Sequence, residues 1–173
     1  EDKMGGKYVN TSDTPVYKKS ENLFGMNFAK NNCDERVILV EGNMDVISLH
    51  QAGFENAVAA LGTAFTDEQA KLLSRYTKEI VLIMDSDEAG QKAARRAGNV
   101  LQSTGINIRV VLLPDGKDPD EFIKKNGAQR FNALLEGAVS EIEYKLLAAV
   151  NGIDITGEDG KVKYLNKAAE IIA

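Results

Sequence analysis

Two short apolar runs end abruptly on acid: Val37-Ile38-Leu39-Val40 runs into Glu41-Gly42, and Ile80-Val81-Leu82-Ile83-Met84 into Asp85-Ser86-Asp87. Runs this short and this rich in β-branched residues form strands buried on both faces, as in parallel sheets. A helical pattern follows each. In open α/β sheets the parallel strands end along one edge, and ligands bind outside those carboxyl ends. Glu41, Asp85 and Asp87 are therefore expected to converge from distant points of the chain. Carboxylates facing one crevice repel unless a cation lies between them. Oxygen donors suit Mg²⁺, which takes one or two carboxylates and leaves its other positions to water and phosphate. The pattern points to phosphate chemistry.

The rest of the chain extends this alternation. Strands are expected over 37–41, 56–60, 79–84 and 107–113, and helices over about 43–52, 66–76 and 87–103. Gly53, Gly62 and Gly105 fall at turns or helix ends. Thr66-Asp67-Glu68-Gln69 reads as a capping box, which assigns its acids to helix initiation. Right-handed crossovers then give a four-stranded, mostly parallel sheet covered by helices on both faces. After Pro114 only helices are expected, over about 118–125, 128–136, 139–150 and 161–172. Residues 1–30 read as irregular, with Gly5-Gly6, Pro15 and Gly25 as breakers, and 31–36 as a polar linker. The expected organisation is 1–36, the end of a preceding subdomain and linker; 37–116, the α/β domain; and 117–173, a helical appendage.

Composition narrows the function classes. With 43% hydrophobic and 27% charged residues the chain has an ordinary globular balance. No apolar run approaches the ~20 residues that span a bilayer, so no membrane partner is expected. The chain opens on Glu-Asp-Lys with no secretory signal, and reads as part of a longer cytoplasmic protein. One cysteine, Cys33, and one histidine, His50, exclude a disulfide framework and a Cys/His zinc site. Cys33 is expected as a linker or half-buried thiol and His50 as a polar helix position. The net charge of −5 argues against a simple basic clamp on nucleic acid. All of the negative excess lies after residue 30, where a metal would neutralise part of it.

Each remaining motif has a simpler structural explanation beside its functional one. Asp118-Pro119-Asp120-Glu121 makes a good helix start, with Asp as N-cap and Pro at the first position. It also follows the fourth strand, which makes it a candidate for the carboxyl edge. Asp45 lies on the first turn after Glu41, close enough to join the cluster or merely to complement the helix dipole. Leu61-Gly62-Thr63-Ala64 closes the second strand with small residues that permit close approach of a ligand or a tight turn. Lys92, Arg95, Arg96 and Arg109 could meet nucleic acid, although a solvated helix face explains most of them.

Together these motifs resemble the TOPRIM fold of topoisomerases, primases, old-family nucleases and RecR-like proteins, and most closely bacterial replicative DNA primases of the DnaG type. Glu41-Gly42-Asn43-Met44-Asp45-Val46 resembles EGYMDV, and Leu61-Gly62-Thr63-Ala64 resembles LGT[AS]. Asp85-Ser86-Asp87-Glu88-Ala89-Gly90 resembles DGDxAG, and Leu113–Asp120 resembles LPxGxDPD. Upstream, Lys7-Tyr8-Val9-Asn10-Thr11-Ser12 with Thr14-Pro15 and Lys19 is similar to KYxNSxxTPxxxK, which separates primases from other TOPRIM enzymes. Asn43 stands where Tyr is usual and Ser86 where Gly is usual; neither change removes a carboxylate.

The resemblance implies DNA-templated synthesis of short RNA primers from ribonucleoside triphosphates on single-stranded DNA. Glu41, Asp85 and Asp87 would hold Mg²⁺, for which Mn²⁺ would substitute. Asp45, Asp118 and Asp120 would shape the cluster or bind a further ion. Lys7, Tyr8, Asn10 and Lys19 would form a basic ridge for nucleotide and template. Zinc and the replicative helicase would bind modules other than these. A TOPRIM nuclease and a non-catalytic metal–nucleotide module remain as alternatives.

Overall fold

The computed structural model describes residues 12–61, 64–84, 88–114 and 118–172. A 3-10 turn over Lys19–Glu21 leads into β1 (Leu23–Phe24) and α1 (Met26–Ala29). The central alternation follows: β2 (Val37–Val40), α2 (Asn43–Gln51), β3 (Ala57–Ala60), α3 (Asp67–Leu73), β4 (Glu79–Ile83), α4 (Glu88–Gln102) and β5 (Asn107–Val111). Then come α5 (Pro119–Glu136), β6 (Val139–Ser140), α6 (Glu141–Val150) and α7 (Glu158–Ile172).

The sheet order is β1-β3-β2-β4-β5-β6. The four strands expected from sequence form its parallel centre, with Val40 opposite Ile83 across β2–β4 and Val40 opposite Ala59 across β2–β3. Among the described residues six strands stand where four were expected, because two-residue antiparallel strands flank both edges. One lies in the segment expected to be irregular and the other in the segment expected to be wholly helical. Both come from outside 37–116, so the sheet draws on the flanking segments.

Each edge strand has a local cause. Gly25 follows β1 with φ +82°, and a Cβ there would lie 2.7 Å from Val46 Cγ1 and 2.8 Å from the Ala57 carbonyl. Only glycine lets the chain pass this close to α2 and β3. At the other edge, the Arg109 guanidinium on β5 donates through Nε to the Ala138 carbonyl at 3.0 Å, just before β6. Arg109, a candidate for nucleic acid, thus fastens the sheet edge.

Burial on both faces explains the continuous apolar strands. Val37 and Leu39 of β2 pack with Ala70, Leu73, Ala97, Leu101 and Tyr144 on the α3/α4/α6 face. Ile38 and Val40 pack with Val46, Leu49, Phe122, Phe131 and Leu135 on the α2/α5 face. The two helices expected over 118–125 and 128–136 form α5, interrupted at Gly127, whose φ is +77°. Cys33 is fully buried, contrary to the linker or half-buried thiol expected, and its Sγ lies 3.7 Å from the Tyr76 carbonyl. His50 is partly buried; its Nε2 donates to the Ala57 carbonyl at 2.9 Å, and its ring meets Phe28 edge-on. No described helix is long and apolar enough to cross a membrane.

Candidate active site at the sheet switch point

From β2 the chain moves outward to β3, then returns past β2 to β4 and continues outward to β5. The direction reverses between β2 and β4, which makes the gap beyond their carboxyl ends the expected ligand crevice. Glu41 follows Val40 directly, and Val40 is registered with Ile83, so the turn after β2 and Met84 after β4 flank this gap. A cleft of about 400 Å³ opens here, lined by Glu41, Ala60, Ala64, Phe65, Met84, Ala93, Arg96 and Ala97 with the ends of β2. Glu41 is exposed to it.

The other described acids meet on the α2/α5 side. Asp45 is 7% exposed. Its Oδ2 accepts the Gly42 backbone N–H at 3.1 Å, closing the first turn of α2. Its Oδ1 accepts the Asp120 backbone N–H at 3.3 Å, joining the starts of α2 and α5. Asp120 in turn accepts the Ser48 hydroxyl through Oδ1 and Lys124 Nζ through Oδ2, the latter at 2.7 Å. Asp118 is the N-cap of α5 and accepts the Glu121 N–H at 2.7 Å. The structure therefore brings Asp45 and Asp120 together, and shows the helix-start geometry at Asp118. Ser48 carried no sequence signal, because its role depends on an acid 72 residues away.

The Lys19 backbone is tied to α3, whose N-cap follows the cleft residue Phe65. Gln69, fully buried, donates through Nε2 to the carbonyls of Lys19 at 3.0 Å and Asn22 at 2.7 Å. Its Oε1 completes the expected capping box by accepting the Thr66 N–H at 3.1 Å. The Thr66 hydroxyl donates to the Ser20 carbonyl at 2.5 Å. Since Phe65 lines the cleft immediately before Thr66, the upstream segment is fastened beside it. Of the other basic candidates, Arg96 lines this cleft, whereas Arg95 lines a separate groove between α4, α6 and α7.

Asp85, Asp87, Lys7, Tyr8, Asn10, and Gly62-Thr63 of the small-residue turn lie outside the described residues. Among the described residues no group of three Asp, Glu, His or Cys side chains gathers to hold a metal. The hard oxygen donor at Glu41 nevertheless has the right chemistry for a divalent ion. In sequence, Asp85 and Asp87 lie one and three positions beyond Met84.

Residues 38–123 match the family model described as Toprim-like. The chain is 47% identical over 167 residues to the DNA primase of Clostridium acetobutylicum, covering 96% of this chain and 28% of that protein. The chain thus spans under a third of the length of that curated relative. Among solved structures it resembles the RNA polymerase domain of Mycobacterium tuberculosis primase DnaG, crystallised with double-stranded DNA. That match has a TM-score of 0.86 at 34% identity and covers 99% of this chain and 56% of that one. A DnaG primase catalytic domain bound to single-stranded DNA matches with a TM-score of 0.81 at 32% identity, over 98% of this chain and 55% of that one. A carboxylate at the switch point, a fold that superposes on primase catalytic domains, the Toprim-like match and 47% identity along almost the whole chain agree, and the chain, spanning part of the length of its relatives, belongs to the bacterial DNA primase family.

Proposed function

We propose that this chain supplies the phosphoryl-transfer part of a primase, which joins ribonucleotides into short RNA primers on a single-stranded DNA template. The observation that carries the proposal is the placement of Glu41 at the β2/β4 switch point, facing the cleft, in a chain whose relatives are DNA primases. Glu41, Asp85 and Asp87 are the residues proposed to hold Mg²⁺ or Mn²⁺. A divalent ion there would neutralise phosphate charge and make a primer 3′-hydroxyl a better nucleophile at neutral pH.

The remaining roles belong to the chain itself. Glu41 orients its carboxylate from the tight turn after β2. Asp45, Asp118 and Asp120, whose oxygens hold the starts of α2 and α5, are proposed chiefly to fix the loops around the cleft. Lys19, with Lys7, Tyr8 and Asn10 upstream, is proposed to meet nucleotide and template phosphates near the start of α3. The domain limits at residues 36/37 and 116/117 are proposed as functional divisions, although the sheet crosses both. A helicase partner and a zinc module would engage other parts of a longer protein.

The test is incubation of a full-length protein containing this chain with single-stranded template, Mg²⁺ and labelled ribonucleoside triphosphates. Accumulation of short RNA supports the proposal. Degraded template would point to a nuclease, and neither product to a non-catalytic module. The isolated chain is expected to prime poorly, because it contains only part of the polymerase domain spanned by its structural relatives.

A further inference from the structure

Among the described residues, Arg96 is the only cation lining the cleft that Glu41 lines. It shares one face of α4 with Ala93 and Ala97, at the i, i+3 and i+4 positions that lie side by side on a helix. Both neighbours are small, so Arg96 is the only long side chain that α4 places over the cleft among these lining residues. Helical side chains lean towards the N-terminus of their helix. The guanidinium is therefore carried back over Ala93, towards the carboxyl edge of the sheet. Among the described residues no ion pair or hydrogen bond holds its side chain, whereas Arg36 is paired with Glu136 and Arg109 with the Ala138 carbonyl.

A planar cation beside an acidic turn suits a ligand that brings both metal ions and negative charge. Arginine binds phosphate through paired N–H donors. A cleft of about 400 Å³ has the size of a small-molecule pocket rather than of a channel for a polynucleotide. We propose that Arg96 binds phosphate oxygens of the incoming ribonucleoside triphosphate, a role that rests on the primase reading of the same cleft. The backbone of template or primer offers the same phosphate chemistry, and the experiment separates the two sources.

The wild-type chain, Arg96→Ala, Arg96→Lys and Arg95→Ala are titrated by calorimetry with four probes: Mn²⁺ alone, Mg²⁺–tripolyphosphate, Mg²⁺–ATP and a single-stranded DNA oligonucleotide. Arg96→Ala is expected to weaken tripolyphosphate and ATP binding by roughly 10- to 100-fold, the usual loss for a charge-assisted contact. Mn²⁺ affinity should stay unchanged, Arg96→Lys should recover part of the loss, and Arg95→Ala should match wild type. If wild type binds both phosphate probes and Arg96→Ala binds them equally well, the Arg96 role is overturned while the site stands. A loss confined to the oligonucleotide overturns the assignment to nucleotide. Failure of wild type to bind either phosphate probe overturns the cleft as a nucleotide site, and Arg96 with it.

Discussion

The Asp45 carboxylate bridges two helix starts, accepting the Gly42 N–H at 3.1 Å through one oxygen and the Asp120 N–H at 3.3 Å through the other. Asp120 lies 75 residues further along the chain, after β5. The loops after β2 and β5 are thereby fixed to each other on the α2/α5 side, while Glu41 lines the cleft beside α4. Acidic residues that look equivalent in sequence are divided between holding two helix starts together and lining the cleft.

Asp45→Ala should cost about 1–3 kcal/mol of folding stability, since two partly buried N–H donors lose their acceptor. Relief of repulsion with Asp120 offsets some of that cost. Urea denaturation checks the figure, and a loss below about 0.5 kcal/mol would mean that water replaces the bridge readily.

Glu41→Ala, Asp85→Ala and Asp87→Ala are each expected to abolish primer synthesis in a full-length protein containing this chain. Removing a carboxylate from an acidic cluster relieves repulsion, so metal-free melting temperature should hold or rise slightly. Near-wild-type synthesis by any of the three would remove that residue from the site.

Gln69→Leu keeps the side-chain bulk but strands the Asn22 carbonyl and the Thr66 N–H, and leaves the Lys19 carbonyl only its 3.3 Å bond from the Asn22 N–H. Unsatisfied buried groups cost about 1–3 kcal/mol each, less where water reaches them. Stability should fall, and hydrogen exchange should accelerate over residues 19–24 before it does in β2 and β4. Uniform acceleration would show that Gln69 supports the whole core rather than the attachment of this segment.

Lys7→Ala and Lys19→Ala should weaken polynucleotide binding by a full-length protein and leave divalent-metal affinity nearly unchanged. Each lost phosphate contact reduces the log–log salt slope by about one unit. Identical slopes for wild type and both variants would make these lysines ordinary solvated charges.

Burial, with a smaller contribution from Asp34, pushes the Cys33 thiol above its ordinary value of 9.0. The thiolate is the reactive form, so native Cys33 should react with a disulfide reagent only as fast as the fold opens. The folded chain holds the proton more tightly than the unfolded one. This contribution to stability is therefore complete below pH 9.0 and declines as pH rises through the raised value. Rapid labelling of native protein at pH 8 would contradict the buried position.

The central alternation was legible because its signals are local. Apolar runs such as Ile80–Met84 mark strands buried on both faces, Thr66 and Gln69 mark a helix start, and Gly127 marks the break in α5. Parallel connection then places the ends of those strands along one edge, which is why Glu41 could be assigned to a crevice from sequence. The resemblance in motif order carried the family, and the comparisons agree with it.

Other features belong to the tertiary structure, because their partners lie far apart in the chain. Leu23-Phe24 and Val139-Ser140 are too short to show a period, and become strands only where β3 and β5 offer open edges. Gln69 is read from sequence as a cap, yet its buried amide also holds a segment about 50 residues upstream. The candidate acids look alike until α5 folds against α2 and gives Asp45 and Asp120 their shared hydrogen bond. Arg95 and Arg96 are neighbours on α4, and the 100° step between successive helical residues sends them into different grooves. Local propensity determines which segments become strands and helices; which side chain faces the cleft depends on packing between elements that sequence distance keeps apart.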